Sequence, residues 1–89
     1  MKITLVHSVI YDNSFFTLRK TIKSEFVPRQ GDFITDPAFE EDYEVGEVHV
    51  DLESQSCEVF LKALSLNVGL IEATKIIDDN YGVHYWSKS

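Results

Sequence analysis

Carboxylates close together can share a proton, hold a cation or meet a basic partner. This chain concentrates them: residues 31–60 contain ten acids and no lysine or arginine. Glu40, Glu41, Asp42, Glu44 and Glu47 form the densest part. An acid catalyst needs a carboxyl whose pKa is raised by an apolar pocket, and acids in a polar loop have none. A dedicated Ca²⁺ loop needs alternating ligands and a sharp glycine turn, which this segment lacks. The expectation is a solvated acidic surface. Cys57 is the one strong nucleophile type in the chain, and its reactivity depends on whether it faces water or the core. His7, His49 and His84 are scattered without zinc-ligand spacing. No nucleophile elbow, phosphate-binding glycine loop or His-Glu-x-x-His helix is present. The chain therefore reads as a non-enzyme with no metal or cofactor.

Charge layout narrows the partner. The net charge is −7, but residues 1–30 carry a net +3 and residues 31–60 a net −10. A nucleic-acid backbone favours concentrated positive charge, so the middle block disfavours it. The runner-up reading is a small nucleic-acid platform on Arg19, Lys23 and Arg29, since Arg19 and Lys23 share a strand face. A further variant is an acidic mimic of nucleic acid. The leading reading is a protein-interaction module that presents the acidic segment to a basic protein.

Certain elements must position these residues. The 89 residues suffice for one domain, 1–89. The apolar stretches are too short to span a bilayer, so no membrane partner is expected. The N-terminus alternates apolar with polar residues like a strand and unlike a secretory leader. With a single cysteine, a reducing cytoplasm is the default setting. In residues 2–10, Ile3, Leu5, His7 and Val9 share a face. Asp12-Asn13-Ser14 is a turn cluster, and residues 15–27 alternate again, with Phe16, Leu18, Ile22 and Phe26 inward. These two patterns predict an antiparallel hairpin.

In FVPRQGDFI, Pro28 ends the strand, Gly31 allows a positive φ, and Asp32 can cap the turn through its side chain. Phe33 and Ile34 then begin a short strand, and residues 36–42 form the acidic loop. The segment from Tyr43 to Leu52 breaks alternation at Gly46. A β-bulge there puts Tyr43, Val45, Val48, Val50 and Leu52 on one side. With the turn near Glu53-Ser54, Val50 then faces Cys57 and Val48 faces Val59. The outer pairs become Asp51 with Ser56, His49 with Glu58 and Glu47 with Phe60. This register turns Cys57 inward as a packed, unreactive thiol.

Residues 66–82 change to a helical stripe of Leu70, Ala73, Ile77 and Tyr81, with Asn67 as N-cap and Gly82 as stop. GVHYW is expected to close the structure as a final strand. Tyr81, Tyr85 and Trp86 are expected to plug one end of the core, with an exposed binding patch as the alternative.

The succession of Pro-Arg-x-Gly-Asp, a Tyr-x-Val strand and a Cys-x-Val-x-Leu strand resembles a group of small uncharacterised bacterial proteins with an SH3-like β-barrel. The resemblance implies a fold and no activity. The expected architecture is thus α+β: a small, strongly bent antiparallel β-barrel of about five strands with one C-terminal helix. An open barrel edge could also pair two copies into a homodimer.

Overall fold

The computed structural model describes residues 1–88. Six strands form one sheet in the order β3-β4-β5-β1-β2-β6. They are β1 (Lys2–Tyr11), β2 (Ser14–Lys23), β3 (Phe33–Ile34), β4 (Tyr43–Asp51), β5 (Ser56–Leu66) and β6 (Ser87–Lys88). Helix α1 (Leu70–Ile76) runs on into a π-helical turn, Ile77–Tyr81, and a 3₁₀ turn, Gly82–His84. The domain is α+β, as expected, and the sheet is mostly antiparallel. Among the described residues it has six strands where about five were expected, and it is not closed into a barrel: β3 and β6 are its edges.

Both hairpins follow their sequence signals in register, although Ile22, Val50 and Leu52, expected on the inner side, are exposed at the ends of their strands and in the turn. Asp12 and Asn13 take left-handed φ values of 40° and 61°, the turn geometry that matches strand twist. The β1–β2 ladder then runs from Tyr11 opposite Ser14 to Lys2 opposite Lys23. In the second hairpin Val48 faces Val59, Val50 faces Cys57, and the ladder shifts between Val45 and Glu47, which is the Gly46 bulge. The Asp51 carboxylate closes the turn by accepting from the Glu53 and Ser54 amides.

The two hairpins join along β1 and β5, and that pairing is parallel. The expectation of an all-antiparallel sheet fails here. Two hairpins with apolar inner faces can meet in either sense, and only the path of residues 24–42 decides which. The path turns at the Pro28–Asp32 corner. Gly31 sits at φ +92°, the Asp32 carboxylate accepts from the Arg29 amide at 2.8 Å, and Val45 exchanges backbone bonds with Gly31 and Asp32. The strand preceding this corner is shorter than alternation suggested. Ser24 bends the chain by bonding Phe26 through its hydroxyl, so Phe26 is exposed rather than inward.

The core lies on one face of the sheet, under the helix. Ile3, Leu5, Val9, Leu18, Val45, Val59 and Leu61 meet Ile77, Tyr81 and Trp86 there. Cys57 packs among them, and burial pushes its thiol pKa up against a small opposing pull from the N-terminal ammonium. Ala73, Ile77 and Tyr81 are buried, but Leu70 is exposed. The helix begins later than expected, capped by Gly69 without a side-chain bond. Gly82 is right-handed, and the left-handed residue after the helical segment is Tyr85, at φ 68°. The last strand accordingly follows Trp86 instead of beginning at Gly82.

Candidate functional site

Strand alternation places His7 on the inner face of β1 and Lys20 on the inner face of β2, in phase with the apolar residues beside them. Each is satisfied differently. Lys20 donates to Asp36 at 2.6 Å. Asp36 also accepts from the Trp86 indole at 3.0 Å and from the Ala38 amide at 3.2 Å. Burial works against the Asp36 carboxylate, but the bonds from Lys20, Trp86 and Ala38 outweigh it and hold its pKa below the usual value. One carboxylate therefore fastens β2, the start of the acidic loop and the C-terminal segment together.

His7 is wholly buried beneath a ring of aromatics. The Tyr43 ring lies 4.3 Å from it and the Phe39 ring 5.5 Å. Its Nδ1 stands 3.1 Å from the Tyr81 hydroxyl. Burial lowers the His7 pKa to about 4, although the Lys62 backbone carbonyl pulls the other way. Nε2 has no hydrogen-bond partner. His7 is thus a neutral imidazole at physiological pH. Burial likewise raises the pKa values of Tyr43 and Tyr81, with Glu41 adding to the first and Tyr43 to the second. Both hydroxyls stay protonated, so neither tyrosine offers a base.

Above these tyrosines lies a pocket of about 230 Å³. Tyr43 and Tyr81 line it, with Leu64, Leu66 and Ile76 as aliphatic walls. Ala38, Glu40, Glu41 and Asn80 complete the lining, and the last three are exposed residues. Sites for whole small molecules occupy roughly 300–1,000 Å³, so this pocket suits one side chain better than a cofactor.

The five acids expected to form one surface are divided. Glu40 and Glu41 border the pocket. Asp42 accepts from the Thr35 hydroxyl at 2.8 Å. Glu44 and Glu47 leave the opposite face of the sheet, where Glu44 meets Lys62 at 3.0 Å and Glu47 meets His49 at 3.0 Å. The basic trio is divided as well. Arg19 is held by Glu58 at 2.9 Å, Lys23 ends β2, and Arg29 belongs to the corner. Of the three late aromatics, Tyr81 and Trp86 are buried and Tyr85 is exposed. Among the described residues, no group of three or more His, Cys, Asp or Glu could hold a metal ion. None of their helices is long and apolar enough to cross a membrane.

The pocket walls are the part that the sequence reading did not assemble. Tyr43 already carried a signal, since it shares a face with Val45. Leu64, Leu66, Ile76 and Asn80 come from a strand end and a helix whose relative placement has no local signature. No protein-family model, curated protein or solved structure matches the chain.

Proposed function

We propose that this domain is a non-enzymatic protein-interaction module that presents its acidic 36–47 segment to a basic partner. One observation carries the reading. Glu40 and Glu41 are exposed at the pocket, and no cation pairs with either among the described residues. They belong to the block of net charge −10, whose field favours encounter with positive partners. Glu44 and Glu47 contribute to that field from the other face. The nucleic-acid reading through Arg19, Lys23 and Arg29 has less support, because Glu58 engages Arg19.

The kinship with small bacterial SH3-like proteins belongs to the same proposal and rests on the corner and the two strand motifs. A lone buried thiol fits a cytoplasmic setting. β3 pairs with β4 only at Tyr43 and Glu44, an arrangement that suits strand pairing with a second copy.

An array of Lys/Arg-rich, neutral and acidic peptides tests the proposal. Basic peptides should be retained selectively and released by salt. The triple reversal Glu40→Lys, Glu41→Lys and Glu44→Lys should weaken retention at least about tenfold. Equal retention of acidic and basic peptides, or unchanged binding by the reversed variant, would remove it.

A further inference from the structure

We infer that the pocket beside Glu40 and Glu41 receives one aliphatic side chain of the basic partner, while the two carboxylates hold the lysine or arginine next to it. This rests on the interaction-module reading and specifies what the partner must look like.

The chemistry of the walls argues for an apolar occupant. Leu64, Leu66 and Ile76 offer aliphatic surface, and Tyr43 and Tyr81 add ring surface. The Tyr81 hydroxyl lies 3.1 Å from Nδ1 of the buried His7, so part of its hydrogen-bonding capacity is used inside the protein. A charged group pushed to the bottom would leave water without compensation there, whereas an aliphatic group would lose only water contact. The volume of about 230 Å³ accommodates a side chain rather than a larger ligand.

The exposed lining argues for a cation beside the apolar group. Glu40 and Glu41 are adjacent in sequence, exposed and without an ion-pair partner among the described residues. Asn80 is also exposed at the pocket, and its amide can both donate to and accept from a peptide backbone. The site therefore matches an extended segment in which an aliphatic residue is flanked by basic ones. Its division of labour is familiar from interfaces, with an apolar anchor giving grip and rim charges setting selectivity.

Three short peptides separate the contributions: acetyl-Lys-Leu-Lys-amide, acetyl-Lys-Ala-Lys-amide and acetyl-Glu-Leu-Glu-amide. Each is titrated into the intact ¹⁵N-labelled chain, with amide shifts followed by NMR. The first should bind saturably at millimolar concentration, shifting Leu64, Leu66 and Tyr81, roughly tenfold tighter than the second. The charge-neutralised, surface-only variant Glu40→Gln/Glu41→Gln should lose most of that binding while the pocket shifts stay in place at higher concentration. Equal affinity for the leucine and alanine peptides would overturn the inference and leave the interaction module standing. Equal affinity for the lysine and glutamate peptides would overturn both. Silence with all three, alongside charge-dependent retention on the peptide array, would overturn this inference alone.

Discussion

Arg19 and Lys20 are consecutive in β2, yet they make ion pairs in different physical regimes. Arg19 points to the outer face and meets Glu58 at 2.9 Å, with side chains 42% and 46% exposed. Lys20 points inward and meets Asp36 at 2.6 Å, with side chains 15% and 5% exposed. Water screens the first pair, so its net worth is small. The second pair has exchanged water for a fixed set of partners, and each member depends on the other being present. Two ion pairs of adjacent residues thus form an ornament of the surface on one side and a structural clamp on the other.

Breaking the inner clamp should have the largest effect. Asp36→Ala leaves the Lys20 ammonium and the Trp86 indole buried without an acceptor, and about 3–5 kcal/mol should be lost in chemical denaturation. Replacing the pair together, as Lys20→Met/Asp36→Leu, should recover the part of that loss that comes from the unpaired ammonium, while the Trp86 indole still lacks its acceptor. The share recovered measures the cost of the unpaired charge, and the remainder measures the donors that lose the carboxylate.

Acid should come next. The unfolded chain takes up a proton on His7 near pH 6.5, while the folded chain resists until about pH 4. Between those values the unfolded state binds more protons, so stability is full above pH 6.5 and falls as pH drops toward 4. The loss should approach about 3 kcal/mol at the lower end. His7→Phe should flatten the pH dependence of the urea midpoint across that window. Below it, protonation of Asp36, whose pKa is also depressed, should remove stability further.

The outer pair should give the smallest response. Arg19→Ala or Glu58→Ala should cost under about 1 kcal/mol, and a double-mutant cycle should find a coupling that shrinks with added salt. A coupling on the scale of the inner pair would erase the distinction between the two faces.

Much of the fold was legible where neighbouring residues carry the information. Gly46 breaks the alternation of β4, and that break fixes the whole β4–β5 register. Gly31 and Asp32 spell out their own corner. Lys20 could have been read too, because it falls in phase with Phe16, Leu18 and Ile22. Its partner could not, since Asp36 lies in a loop with no period to follow. The acidic surface was overestimated for a related reason. Tyr43 and Val45 face inward, so alternation sends Glu44 to the far side of the sheet from the pocket. The bulge at Gly46 then keeps Glu47 there. The helix end misled because Gly82 has the residue type of a terminator without the backbone angle, and Tyr85 takes the left-handed conformation instead.

The Asp36 carboxylate reaches Lys20 across 16 positions and Trp86 across 50. Closing so long a span costs more loop entropy than closing either hairpin turn. The two hairpins can zip from local turns, but the base of the acidic segment stays untied until the indole arrives. Shape at this end of the molecule therefore depends on a contact between segments 50 positions apart in the chain.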